Sequence, residues 1–255
     1  MSFAVAAEAY DRFMGRYSEP LAPLFADFAG IATGQQVLDV GCGPGALTAE
    51  LVKRLGSDAV AAVDPSEPFV EAARERYPNV TVEVAPAEEL PFETDAFDAA
   101  LAQLVVHFMA DPVAGLRGMA RVTRPEGIVA ACVWDHAGDH GPLSLFWEVA
   151  RGLEAEVEDE SRLPGTREGH LAELFEAAGL RDVEADVLTI TLEHAKFEDW
   201  WEPYTLGVGP AGGYVAGLDP GSREALRERC RERLPAPPFV LEARAWAARG
   251  RADAV

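Results

Sequence analysis

Three ionisable residues and one glycine-rich turn hold the reactive potential of this sequence. Asp39 sits near the end of a short apolar run, residues 37–40, and is followed at once by Gly41, Gly43 and Gly45. Glycine adopts positive φ without a Cβ clash and lets a ligand come close to the main chain, so three at alternate positions suit a surface of bare backbone. Gly41, Gly43 and Ala46 fit the pattern G-x-G-x-x-G/A, a turn that can offer amides to a pyrophosphate. Asp39 opposes that use, because an inward carboxylate repels a pyrophosphate and favours an amino group. Asp64 ends the next apolar run at a distance from Gly41 that suits a carboxylate accepting ribose hydroxyls. The same side chain, followed by Pro65 and Ser66, could cap a helix. His107 is the third group: a base toward a hydroxyl or amine, or a packed turn residue.

These groups need strands to place them. Residues 37–40 read as a strand and Ala46–Leu55 as a helix whose stripe of Leu47, Leu51, Val52 and Leu55 stops at Gly56. Residues 59–63 lack alternation, as expected of a central parallel strand buried on both faces. A helix over 69–77, strands over 80–84, 96–101 and 128–134, and a helix launched by Asp111-Pro112 continue the βαβ pattern. Ligands of such sheets sit beyond the carboxyl ends of the strands, so residues 103–108, Gln103 and His107 among them, should line a pocket. Ahead of the first strand we expect a short helix ending near Gly15. An amphipathic helix carrying Leu21, Leu24, Phe25 and Phe28 follows it. Beyond Trp134 we expect a helix over 143–157, another over 170–178 and a strand over 187–192. Next come an aromatic helix with Phe197, Trp200, Trp201 and Tyr204 and a mobile glycine-rich lid over 207–217. A charged helix over 222–234 and a last strand over 239–247 complete the chain.

With 255 residues and a formal net charge of −21, the chain suits one large α/β domain and is a poor match for nucleic acid. The arginines of 223–233 alternate with glutamates and read as a solvated helical face, and acidic runs such as 154–160 outnumber any basic patch. Cys42, Cys132 and Cys230 show no metal or disulfide spacing and are expected reduced and buried. No run is long enough to span a bilayer and the start lacks signal-peptide features, so we expect a cytoplasmic protein with no membrane partner. His136 and His140 with Asp135 or Asp139 make a weak metal candidate in a loop, and no metal is expected.

Several further segments carry a resemblance. Ala87-Glu88-Glu89-Leu90-Pro91-Phe92, Phe97-Asp98 and residues 121–127, taken with the turn after Asp39, resemble the motifs of class I S-adenosylmethionine-dependent methyltransferases. The resemblance implies a Rossmann-like, doubly wound, seven-stranded, mostly parallel sheet with an antiparallel final strand at its far side and an inserted helical cap. It implies a single domain over 1–255, with a helical cover at 1–30 and a cofactor-binding core at 36–134. Cap insertions would occupy 135–180 and 195–235, and the final strand 238–248. For the cofactor it places Asp39 on the methionine amino group, Gly41, Cys42 and Gly43 against the ligand, and Asp64 on the ribose. Pro65, Ala87 and Glu88 would lie at the adenine and Gln103 at the pocket wall, with Tyr10 and Arg16 on the methionine carboxylate. His107 is the catalytic candidate. The implied partner is a small-molecule methyl acceptor, and the implied assembly a monomer or homodimer. Two departures stand out: the acid expected before Ala87 is Pro86, and the second glycine of the later turn is Glu126. Binding of S-adenosylmethionine without transfer, and nicotinamide-dependent oxidoreduction, are the alternatives.

Overall fold

The computed structural model describes residues 7–154, 157 and 159–253. A leader comes first: α1 (Ala7–Tyr10), a π-helical turn (Asp11–Gly15) and α2 (Arg16–Phe28). Then β1 (Val37–Val40), α3 (Ala46–Leu55), β2 (Val60–Asp64), α4 (Glu67–Arg76), β3 (Thr81–Val84), β4 (Phe97–Gln103), α5 (Pro112–Val122) and β5 (Thr123–Trp134) alternate. The remainder is α6 (Ser144–Leu153), α7 (His170–Ala177), β6 (Arg181–His194), α8 (Phe197–Trp201), α9 (Gly209–Gly217), α10 (Pro220–Arg233) and β7 (Phe239–Arg251).

One seven-stranded sheet in the order β3-β2-β1-β4-β5-β7-β6 organises the molecule. β1 to β5 pair in parallel, and β7 runs antiparallel to both β5 and β6. The final strand is thus inserted beside β5, and β6 forms the edge. Every residue of β1, β2 and β4 is buried, which accounts for their mostly apolar sequences without alternation. On one face Leu21 and Phe25 of α2, Leu47 and Leu51 of α3 and Val70 of α4 cover Val37, Ala62 and Leu101. On the other, Leu116 and Met119 of α5 and Phe175 of α7 cover Leu38, Val63 and Val129. A third core lies outside the sheet, where Phe146 of α6, Trp200 of α8, Val215 of α9 and Leu226 of α10 meet Phe13 of the leader. Among the described residues no helix is long and apolar enough to cross a membrane.

Three expectations change. The leader does not stop at Gly15 but continues as helix to Phe28. Gly15 is buried, and the packing of Phe13, Tyr17, Leu21 and Phe25 outweighs the roughly 1 kcal/mol that glycine costs a helix interior. The glycine-rich lid over 207–217 is largely helix α9, with Ala211 and Val215 buried. Its small residues permit close packing, since a Cβ on Gly212 would lie 2.7 Å from the Gly207 carbonyl carbon. The helix α7, read from sequence as part of the cap, packs on the sheet.

Gly41 shows how tightly the first turn is built. Its φ is +71°, and a Cβ there would lie 2.4 Å from Cγ2 of Val105. Gly41→Ala should therefore cost about 2 to 4 kcal/mol of unfolding free energy, combining backbone strain with overlap. Urea denaturation measures this. Adding Val105→Ala should recover part of the loss, and a single-variant cost below about 0.5 kcal/mol would contradict the assignment.

Candidate functional site

The strand order reverses between β1 and β4, the point at which open α/β sheets form a crevice beyond their carboxyl ends. A cavity of about 550 Å³ lies there. It is within the size range of small-molecule sites, roughly 300 to 1,000 Å³. Each strand end supplies a wall: Asp39 to Pro44 after β1, Asp64 to Ser66 after β2, Pro86 to Glu88 after β3, and Gln103 to Val105 after β4. Tyr10, Asp11, Gly15 and Ser18 of the leader roof it, and Leu163 and Pro164 close one side.

Asp39 is 1% exposed. Its Oδ2 accepts from Thr48 Oγ1 at 2.6 Å, while its buried Oδ1 has no hydrogen-bond partner. Burial is the largest influence on its carboxyl and, with the nearby Asp64 carboxylate, pushes the pKa up to about 7 against the opposing hydrogen bond from Thr48. A half-satisfied buried carboxylate calls for a cation or a donor.

Asp64 serves the turn as well as the cavity. Its Oδ2 accepts from the Gly43 amide and its Oδ1 from the Ser66 amide, both at 2.8 Å. Burial raises its pKa, and these two amides pull it back. Asp64 braces the approach to α4 without capping it, the N-cap being Ser66, and it lines the cavity. The other turn amides are equally committed. Gly41 and Cys42 donate to the Val63 carbonyl at 2.7 and 2.9 Å, and Gly45 donates to the Cys42 carbonyl at 3.0 Å. None of these four N–H groups faces the cavity as a free donor, so the turn is no pyrophosphate cradle.

Of the residues expected at the site, Tyr10, Asp39, Gly41, Cys42, Gly43, Asp64, Pro65, Ala87, Glu88, Gln103 and His107 all line the cavity. Arg16 does not. Its Nη1 donates to the Asp199 carbonyl at 2.5 Å, and the side chain lies in an outer groove with Glu198 and Glu202. The uninterrupted helix explains this, because residues six apart on one helix are out of line by roughly a third of a turn or more. Cys42 is a buried neutral thiol, its pKa raised by burial and then by Asp39 and Asp64. Gln103 Nε2 donates to the Ser18 carbonyl at 3.0 Å and leaves Oε1 unpartnered, which ties the roof to β4. Glu88 Oε1 accepts from the Asp111 amide at 3.1 Å.

Two further lining residues are Phe69, which carries no sequence signal for a site, and Leu104, within the stretch 103–108 expected to line a pocket. Phe69 packs edge-on against Tyr10, with ring centroids 5.1 Å apart. Leu104 sits at φ +63°, an uncommon conformation for a bulky residue and typical of functional turns. Glu160, at the end of the acidic run 154–160, is 4% exposed and accepts from Trp147 Nε1 at 3.1 Å. It lines a side cavity of about 40 Å³ with His107, His136, Tyr10 and Phe108. His107 is buried, its Nδ1 unpartnered, and burial with the neighbouring His136 holds its pKa well below the ordinary imidazole value. His140 instead pairs with Asp135 at 3.0 Å, so the loop combination considered from sequence is not the one the fold assembles.

Residues 38–131 match the family model described as methyltransferase domain. Residues 38–131 thus carry the sequence of a methyltransferase domain. An uncharacterized methyltransferase of Mycobacterium tuberculosis is 38% identical over 135 residues, covering 53% of this chain and 52% of that protein. The chain thus spans about half the length of the curated relatives it matches first. The YcgJ protein of Bacillus subtilis superposes with a TM-score of 0.60 at 17% identity, over 92% of this chain and 99% of that one. Haemonchus contortus phosphoethanolamine N-methyltransferase 2, solved with phosphomonomethylethanolamine and S-adenosylhomocysteine, gives 0.57 at 18% identity, over 98% and 60%. Within this methyltransferase domain the matched segment holds Asp39, Asp64 and His107, whereas Tyr10, His136 and Glu160 lie outside it.

The raised pKa of Asp39 makes a stability prediction for the ligand-free methyltransferase domain. A folded-state value above the unfolded one means a contribution that is complete below the unfolded pKa and lost as pH rises through about 7. Asp39→Asn removes that penalty. It should stabilise the protein at about pH 8, by at most about 4 kcal/mol, and change it little at about pH 4. Thermal melts of both proteins across this range measure the effect, and an equal shift at both ends would contradict it.

Proposed function

We propose that the cavity binds S-adenosylmethionine and that the protein transfers its methyl group to a small-molecule acceptor. The observation that carries this reading is Asp39: a buried carboxylate with one unpartnered oxygen, beside a glycine turn whose amides are all spent internally. Such a site accepts a primary ammonium and rejects a phosphate. It fits the amino-acid end of this cofactor. The lone pairs left on the Asp64 carboxylate are placed for ribose hydroxyls. Pro65 and Phe69 supply apolar surface for a base, and Pro86, Ala87 and Glu88 border the same end. A protein of the same fold has been solved with S-adenosylhomocysteine, which agrees with this choice of cofactor.

Bound S-adenosylmethionine supplies a methyl group on a positively charged sulfur. The chain's part is to hold donor and acceptor in line and to exclude water, which can account for most of the rate of such a displacement. Tyr10, Leu104, His107 and Phe108 line both the cofactor cavity and the side cavity, and acceptor and methyl would meet beside them. Past that region the space narrows to the side cavity of about 40 Å³, walled in part by Phe13, Met14, Phe108, Trp134 and Val208 and too small for the acceptor itself. That favours a small organic acceptor over the surface of a macromolecule, as does the net charge of −21 over nucleic acid.

Calorimetric titration should show S-adenosylmethionine and S-adenosylhomocysteine binding and NADH not binding. NADH binding alone would sink the reading. Asp64→Ala should weaken S-adenosylhomocysteine by about 1 to 3 kcal/mol, through lost hydrogen bonds to a charged group. Unchanged affinity in a folded variant removes the ribose role. Cofactor binding with no S-adenosylhomocysteine formed across an acceptor library would favour a binding protein that does not methylate.

A further inference from the structure

His107, His136 and Glu160 come from three separate places: the 3-10 turn after β4, the loop after β5 and the 3-10 turn Glu160–Arg162. All three are buried, at 4%, 5% and 4% exposure. One donor atom of each lies within 4.8 Å of a donor atom of each of the others. Together they border the 40 Å³ side cavity, which has room for a single ion or water.

The polar groups of this cluster are poorly satisfied by the protein itself. Nδ1 of His107 and Nδ1 of His136 are buried without partners. Glu160 accepts from the neutral indole of Trp147, and no Lys or Arg of the described residues is ion-paired with it. Leaving buried imidazole nitrogens and a carboxylate this way is costly, since each lacks the partner that water would have provided. One dication supplies what is missing: a positive charge for the carboxylate and an acceptor of imidazole lone pairs.

We propose that His107, His136 and Glu160 form a binding site for one transition-metal dication, with an open coordination position toward the cofactor cavity. Two imidazoles and one carboxylate suit Zn²⁺, Co²⁺ or Fe²⁺ better than Mg²⁺ or Ca²⁺, which favour oxygen-only shells. Three protein ligands with a free position are the arrangement of metal sites that act on a substrate. Tetrahedral coordination at about 2.1 Å places donors about 3.4 Å apart, so closing this triangle takes movements of under about 1 Å per side chain. His107 lines both cavities, so the open position faces the place where an acceptor would sit. Taken with the proposed methyl transfer, on which this last step rests, the acceptor is a molecule that presents an oxygen donor to the metal. This gives His107 a ligand's role in place of the free base considered from sequence.

The test is a Co²⁺ titration of chelator-treated protein, read by its visible d–d absorption and by calorimetry. Zn²⁺ competition and S-adenosylhomocysteine binding are measured alongside. Wild type should bind one Co²⁺ per chain with a tetrahedral or five-coordinate spectrum and release it to Zn²⁺. Glu160→Gln and His136→Gln should each weaken Co²⁺ at least tenfold while keeping S-adenosylhomocysteine affinity. His140→Ala, in the nearby loop, should leave Co²⁺ binding unchanged. Wild type that takes up neither Co²⁺ nor Zn²⁺ overturns the proposal whether or not the variants fold. So does loss of Co²⁺ in His140→Ala with retention in His136→Gln. A wild type that binds Co²⁺ but not S-adenosylhomocysteine keeps the metal site and removes the cofactor reading.

Discussion

The structure depends on keeping one carboxylate dry. Asp39 is buried because β1 is an interior strand, paired with β2 through Asp39↔Ala62 and with β4 through Asp39↔Leu101. Thr48, one turn into α3, reaches back to satisfy one oxygen, and that fixes how the helix leaves the strand. The intervening turn cannot relax, since its amides are held by Val63 and by Asp64 on the neighbouring strand. Sheet order, helix entry and turn conformation are thus all constrained by a single group whose second oxygen stays buried without a partner.

Much of this was legible from residue types and spacing. The run of β2 announced a buried parallel strand because only apolar residues lead up to Asp64, and Asp111-Pro112 marked the start of α5, where Asp111 does accept from the Ala114 amide. Asp39 and Asp64 could be placed because strand ends fix side-chain position within narrow limits. Arg16 could not, since its direction depends on whether the leader bends at Gly15, and long-range packing of Phe13 and Tyr17 decides that. Residues 207–217 misled for the same reason: glycines that loosen an isolated chain also allow helices to approach closely. Glu160 was hidden by its neighbours, because an acidic run reads as surface and nothing local reveals that one member turns inward beneath Trp147.

The aromatic cluster of the third core has a plain structural role. Tyr204 stacks on Phe146 at 4.5 Å and meets Trp200 at 4.9 Å, while Arg231 lies over Phe197 at 4.1 Å. These rings are buried among themselves and do not line the large cavity. They give α6, α8, α9 and α10 a core of their own, docked to the leader where Phe13 meets Tyr204 edge-on. The leader therefore touches both the cap core and the cofactor cavity, through Phe13 and Tyr10 respectively.

The paired acids at the ends of β1 and β2 have a further consequence. Two carboxylates in one poorly solvated cavity, in a chain that is strongly negative overall, create a local potential that attracts positive ligands and is indifferent to neutral ones. The proposed reaction changes the ligand's charge, since sulfur is cationic before methyl transfer and neutral afterwards. The same field that draws the reactant in thus distinguishes it from the spent ligand, which keeps its ammonium but has lost the charge on sulfur.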